Sequence, residues 1–178
     1  MNYKKKYLKY KNKYMMARDK IMDDQKHGTY SDNDYIYSVD LMFMYINKVR
    51  PKYEAILVKK LEPQLHIECW GDMNEKFSPM DVIKNRTKYT EDDERIINAD
   101  LSYPIIIYNN FIVDGMHRLT KAYLNGDKYI NAYIFSDDLM NKFIISKRKN
   151  ELWDDSDWNY YDNLTIEDIR KIYNDRFK

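Results

Sequence analysis

Residues 112–126 read IVDGMHRLTKAYLNG, with the apolar run YPIIIYNNF before them and a second, YINAYIF, after them. The chain has four glycines, and one of these, Gly115, stands directly after a strand-like segment and directly before Met116, His117 and Arg118. Glycine suits a backbone that must take a positive φ or let something approach closely. A strand running through such a glycine into a helix leaves the first amides of that helix without intrahelical partners. Those N–H groups, with an imidazole and a guanidinium beside them, suit a phosphate. A tight turn in which the glycine is merely conformational is the alternative reading.

Working outward, the pattern predicts two short strands joined at Asn109 and Asn110, then a helix, then a returning strand through YINAYIF. Leu119, Ala122, Tyr123 and Leu124 form the core face of that helix, and Gly126 is its C-cap. Earlier, Ser78, Pro79 and Asp81 offer an N-cap, a first-turn proline and an acid three residues after the cap. Thr90 followed by Glu91, Asp92 and Asp93 repeats the logic and opens a helix through Ile96 and Ile97. Residues 61–70, LEPQLHIECW, read as a turn at Pro63 and a strand through Leu65, Ile67 and Cys69. His66 and Glu68 share the opposite face of that strand.

Residues 34–49 carry a broad helical apolar face that stops before Arg50 and Pro51, where the residue preceding a proline is disfavoured in a helix. Residues 23–34, DDQKHGTYSDND, form a polar linker around Gly28. A short helix or strand covers residues 53–60. After the returning strand come a small helix over residues 137–145, a polar aromatic tail, and a last helix capped by Thr165. The expected divisions are a basic arm and linker (1–30), a helical lead-in (31–60), an α+β domain (61–136) and a C-terminal helical extension (137–178).

The opening 22 residues are basic and helical in pattern, with Tyr3, Tyr7, Tyr10 and Tyr14 on one face and Lys4, Lys5, Lys6 and Lys9 among the rest. This is either a nucleic-acid or partner-binding arm, in which cations meet phosphates and tyrosines stack, or a solvated helix packing its stripe on the domain. Across 178 residues, 30 basic and 29 acidic side chains nearly cancel, so overall charge does not announce a nucleic-acid partner. No run approaches the length of a membrane span, and the Lys-rich N-terminus lacks the apolar core of a signal peptide. Cys69 is the single cysteine, which excludes an internal disulfide and suits a reducing intracellular setting. The Lys/Tyr-rich leader is similar to the openings of many proteins of large DNA viruses, a likeness that implies the cytoplasm or nucleus of an infected cell and assigns no activity.

Over residues 99–135 the text ADLSYPIIIYNNFIVDGMHRLTKAYLNGDKYINAYIF resembles the ParB/sulfiredoxin-like superfamily. The resemblance rests on a proline before a buried strand, then Asp-Gly-x-His-Arg-Leu opening a helix, a closing glycine and an alternating strand. It is closest to bacterial ParB-like proteins with an Asp-Gly-Met-His-Arg loop, and a weaker match reaches back to Leu61. It implies a small mixed β-sheet with helices, flanked here by N- and C-terminal helices, and a nucleotide held by its phosphates at the helix start. Sulfiredoxins need Gly-Cys-His-Arg, whereas Met116 holds the cysteine's place, so that activity is not expected. ParB proper uses a Gly-Glu-Arg-Arg loop and a downstream helix-turn-helix, neither of which is present. The free-serine kinase branch uses Asp-Gly-His-His-Arg, one position different, which makes an ATP- or CTP-dependent phosphotransferase or NTPase the nearest chemistry. A non-catalytic DNA-associated, partition-like module is the rival expectation.

The expected site therefore comprises Gly115, Met116, His117 and Arg118. Arg118 is either a phosphate fork or the partner of a core-edge acid. His117 is either a second phosphate donor or a structural histidine. Asp114 caps the following helix, a role compatible with holding Mg²⁺ that arrives with the nucleotide or with orienting a nucleophile. Glu68, on the early strand, is the candidate for the second catalytic acid. Thr120 adds a hydroxyl, Lys121 is solvated, and Ser102 either lines the cleft or ends the preceding loop. Three scattered histidines and one cysteine show no zinc-ligand spacing.

Overall fold

The structure, a computed structural model, describes residues 28–71, 75–147 and 164–178. Along the chain, β1 (Thr29–Ser31), β2 (Tyr35–Ser38) and α1 (Val39–Val49) come first. Then follow β3 (Glu54–Leu57), α2 (Val58–Leu61), a 3₁₀ helix (Glu62–His66), β4 (Trp70–Gly71), β5 (Lys76–Phe77), α3 (Pro79–Lys84) and α4 (Thr90–Asn98). The second half runs β6 (Ile105–Tyr108), β7 (Phe111–Asp114), α5 (Met116–Leu124), β8 (Tyr129–Phe135), α6 (Asp137–Asn141), β9 (Ile144–Lys147) and α7 (Ile166–Arg176). This is an α+β protein of small sheets. Among the described residues no helix is long and apolar enough to cross a membrane. The expected basic arm, with Lys4, Lys5, Lys6 and Lys9, lies outside the described residues, as does most of the polar aromatic tail.

Two compact units divide the chain, Arg50–Asn141 and the combination of Met1–Val49 with Lys142–Lys178. The breaks fall at 49/50 and 141/142 rather than at 30, 60 and 136. Residues 54–57, in the stretch grouped with a helical lead-in and read as a short helix or strand, supply a strand of the central sheet.

In the unit built from both chain ends, β2 lies between β1 and β9, antiparallel to each. The helix expected from residue 34 begins only at Val39. Asp32 Oδ1 accepts the amides of Asp34 and Tyr35 in a tight turn, which launches Tyr35, Ile36 and Tyr37 as a strand of good β-formers. Ser38 Oγ then accepts the Leu41 amide at 3.0 Å and starts α1. The residues called linker, Thr29–Ser31, are likewise a strand, because β2 offers them a partner. At its far end α1 stops at Val49, and Arg50 takes a left-handed φ of 53° before Pro51. The helix expected over residues 137–145 ends at Asn141, and Ile144 leaves it to pair with Tyr37. Tyr45, Phe143, Tyr173 and Phe177 bring α1, α7 and the approach to β9 together as ring contacts.

The Arg50–Asn141 unit is organised on a four-stranded sheet of order β3-β8-β6-β7, in which only β6 and β8 run parallel. Asn109 and Asn110 join β6 to β7 with φ of 47° and 65°, the left-handed pair that a two-residue hairpin requires. One sheet face packs Ile105, Ile107, Ile130 and Ala132 against Val58, Leu61, Leu65, Leu119 and Ala122. Tyr123 joins this core in part, whereas Leu124, expected on the same face, is 38% exposed. Gly126 closes α5 with φ of 71°. Residues 62–69 depart from the expected strand. Pro63 sits in the first turn of the 3₁₀ helix, which continues directly from α2 and buries Leu65 completely. Ile67 closes that helix with its amide donating to the Gln64 carbonyl at 3.2 Å, and Glu68 and Cys69 then pass on exposed and outside any strand.

Candidate functional site

The junction of β7 and α5 is where the sequence pattern put its glycine. Gly115 is the N-cap of α5 with φ of 104°, and no side chain caps the helix. The helical ladder begins with the Leu119 amide donating to the Gly115 carbonyl at 2.9 Å, so the amides of Met116, His117 and Arg118 precede it. Asp114, expected to cap, does not. Its Oδ2 forms an ion pair with Arg118 Nη2, one helical turn on. The acid already has a cation of opposite charge within reach, and that pairing wins over a first-turn amide.

Arg118 is held from a second side. Its Nη1 donates to the carbonyls of Pro104 at 3.0 Å and Tyr103 at 3.3 Å, tying the entrance of β6 to the start of α5. Three of the five guanidinium N–H donors are thus engaged, leaving Nε and one Nη2 hydrogen. Of the two sequence readings for this residue, pairing with an acid at the edge of the core is the one present in the structure. Ser102 belongs to the same segment, exposed, with its amide donating to Asp100 Oδ1 at 2.9 Å.

His117 takes a role no spacing announced. Its Nε2 lies 3.1 Å from Asp92 Oδ1, in the first turn of α4, and its ring stacks on Trp70 of β4 at 4.4 Å and 15°. Arg95 Nη1 stands 3.7 Å from the same carboxylate oxygen. Imidazole, carboxylate and indole come from three elements, and only the acid-rich run after Thr90 hinted at one of them. That run is also not capped as expected. Tyr89 holds the N-cap position with no side-chain bond, and Thr90 enters the first turn, where Glu91, Asp92 and Asp93 face the positive end of the helix.

Three further expectations are corrected. Thr120 is fully buried and its hydroxyl donates to the Met116 carbonyl at 2.8 Å, so it presents nothing to the helix start. Lys121 is not a solvated bystander, since its Nζ donates to the carbonyls of Ile97 at 2.7 Å and Ala99 at 2.8 Å at the end of α4. Met116 packs partly against the core, so what it offers the site is its amide. Glu68 is exposed on the irregular segment before β4, not on a strand face beside Asp114.

Cys69 is exposed as a residue, yet desolvation of its sulfur, followed by the nearby Asp92 carboxylate, pushes the thiol up to about 11. The surface exposure argues for a smaller burial effect, but the acid acts in the same direction, and the thiol stays protonated at neutral pH. Among the described residues no group of three His, Cys, Asp or Glu side chains converges to hold a metal ion. No family profile, curated protein or solved structure matches the chain.

Proposed function

We propose that the Arg50–Asn141 unit binds a nucleotide by its phosphates at the start of α5, on a ParB/sulfiredoxin-like platform. The observation that carries this reading is Gly115. Its left-handed backbone opens an uncapped helix, with three amides ahead of the ladder and two spare donors of Arg118 alongside. Backbone N–H groups and the positive end of a nine-residue helix favour an anion, and a guanidinium fork adds charge-assisted bonds. In the transfer form of the proposal, ATP or CTP arrives with Mg²⁺, which supplies charge neutralisation. Asp114 would pass from Arg118 to that ion, and the freed guanidinium would turn to a phosphate oxygen.

The rival, a non-catalytic DNA-associated or partner-binding module, is favoured by a specific observation. Arg118 and His117 both already have protein partners, and Glu68 does not join Asp114. In that reading the basic residues 1–22 carry nucleic-acid binding, and their deletion removes it.

Thermal shift with ATP, ADP, CTP and GTP, with and without Mg²⁺, tests the proposal. Wild type should be stabilised by at least one of them, and Arg118→Gln, which keeps amide donors but no charge, should weaken that binding by about tenfold or more. No nucleotide-dependent shift at millimolar ligand would end the reading. Asp114→Asn separates enzyme from binder. It should preserve the fold and the nucleotide affinity while cutting any Mg²⁺-dependent turnover, assayed with small hydroxyl acceptors including free serine, by at least about a hundredfold. Wild type that binds but never turns over is the binding module.

A further inference from the structure

Phosphoryl transfer to water or to a hydroxyl calls for a group that orients the acceptor and takes its proton. Glu68, the sequence candidate, lies exposed on the irregular segment before β4. The start of α5 supplies a different group. His117, the second residue of that helix, pairs Nε2 with Asp92 Oδ1 at 3.1 Å. A carboxylate only accepts, so Nε2 carries the hydrogen and Nδ1 of the neutral ring keeps its lone pair. Among the described residues no hydrogen bond engages that Nδ1. A histidine kept only for packing is buried with its polar atoms satisfied. This side chain is instead 28% exposed, against 17% for the carboxylate that holds it. Helical side chains lean toward the N-terminus, which lays the ring alongside the first-turn amides of α5.

Two elements fix the ring. Trp70 of β4 stacks on it, with centroids 4.4 Å apart and planes 15° from parallel. The same indole meets Phe77 of β5 edge-on at 6.3 Å, and Phe77 stacks on Tyr89, the N-cap residue of α4, at 4.2 Å. Asp92 follows three residues later in α4, so an aromatic ladder ties the stacking partner to the helix that carries the hydrogen-bond partner. One imidazole nitrogen fixed by a carboxylate and the other left to accept is the arrangement of a general base. The other charges about the ring are Arg95 Nη1, 3.7 Å from Asp92 Oδ1, and the Asp114–Arg118 ion pair at the head of α5. The Cys69 thiol, next to Trp70 and pushed up to about 11, adds no charge.

We infer that His117 is the general base, and Asp92 its positioning residue, for transfer from a nucleoside triphosphate to water or a hydroxyl compound, an inference that rests on nucleotide binding at the start of α5. Nδ1 takes the acceptor's O–H proton as the acceptor oxygen bonds to the terminal phosphorus. The bond from that phosphorus to the bridging oxygen breaks, and its electron pair leaves with the nucleoside diphosphate. Asp92 stabilises the imidazolium until it returns its proton to solvent. Water as acceptor gives inorganic phosphate, and a hydroxyl compound gives its phosphate ester.

The test uses the full chain with ATP or CTP and Mg²⁺, following nucleoside diphosphate release and, separately, nucleotide binding by thermal shift. His117→Gln keeps a donor for Asp92 and removes the base. It should bind nucleotide within about threefold of wild type and lower turnover by at least about a hundredfold. Wild-type turnover should rise with pH along a one-proton limb, and the residual turnover of the Gln variant should lack that limb. Asp92→Asn should lower kcat by at least about tenfold with KM and nucleotide affinity unchanged, a split that loss of a merely structural contact would not produce. Long-range proton–nitrogen NMR spectra of the wild type, which need no variant to fold, should show neutral His117 with its hydrogen on Nε2. A hydrogen on Nδ1, nucleotide binding without turnover, or full turnover by His117→Gln would overturn the inference and leave nucleotide binding standing. Absence of any nucleotide-dependent shift would overturn both together.

Discussion

A methyl group built on Gly115 would stand 2.5 Å from Ile105 Cγ2 and 2.9 Å from Arg118 Nη2, on a backbone whose φ of 104° L side chains avoid. The β-carbon of Ile105 is also 2.9 Å away and belongs to a completely buried strand residue that has little room to retreat. Gly115→Ala should therefore cost about 1–3 kcal/mol in urea unfolding through backbone strain alone, with further loss as β6 yields. Stability equal to wild type would show that the junction relaxes freely. The need for glycine here was legible in the sequence, because a strand-like run met a helical run with no turn residues between them. The engagement of its neighbours was not. Arg118 was read with two alternatives, and the choice between them depends on Asp114 and on two carbonyls that come near only when β6 and β7 pair. Asp92 and Trp70, the partners of His117, lie 25 and 47 positions from it, and no local pattern encodes such a meeting.

Among the elements, two of the expected helix caps, Ser78 and Thr165, are present, since capping is chemistry within four residues, whereas Thr90 and Asp114 do not cap. Ser78 and Asp81 close a capping box, with Ser78 Oγ accepting the Asp81 amide at 3.3 Å and the Asp81 carboxylate accepting the Ser78 amide at 2.9 Å. Thr165 and Asp168 do the same at α7. Ser78→Ala should cost about 1 kcal/mol, the usual value of an N-cap. The Ser78 hydroxyl first, then its amide, hold the Asp81 carboxyl below its ordinary 3.8. A carboxyl lowered in the folded state contributes stability that is present above its unfolded value and disappears as pH falls through the folded one. The stability difference between wild type and Asp81→Asn should accordingly be constant near neutrality and shrink once pH drops below 3.8, as followed by urea unfolding across pH. A difference that grows on acidification would contradict this account. Strands were less readable than caps. Residues 35–37 carry aromatic and apolar side chains that fit a helical face as well as a strand, and only the availability of β1 and β9 as partners settles the matter. Residues 65–69 alternate as a strand should, but the 3₁₀ turn at Pro63 takes Leu65 into the core and leaves the rest without an edge to pair with.

For the molecule as a whole, the two units differ in how the chain supplies them. Arg50–Asn141 is continuous and holds its own four-stranded sheet and apolar core, so this fragment expressed alone should unfold cooperatively in denaturant. The other unit draws β1, β2 and α1 from one end of the chain and β9 and α7 from the other. Removing residues 142–178 should abolish it while the central fragment keeps its circular dichroism and its transition. Loss of cooperative unfolding in the isolated central fragment would show that its core does not suffice. By itself the sequence determined what is local: the glycine between strand and helix, the Asn-Asn hairpin, the capping boxes, the returning strand and hence the α+β class. These depend on φ preferences, side-chain periodicity and hydrogen bonds between near neighbours. Tertiary structure alone decided which strands are adjacent, that β1 and β2 share a sheet with β9, and what Asp114, Arg118 and His117 hold. Each of those depends on groups distant in sequence competing for the same partners, and that competition is resolved only when the whole chain packs.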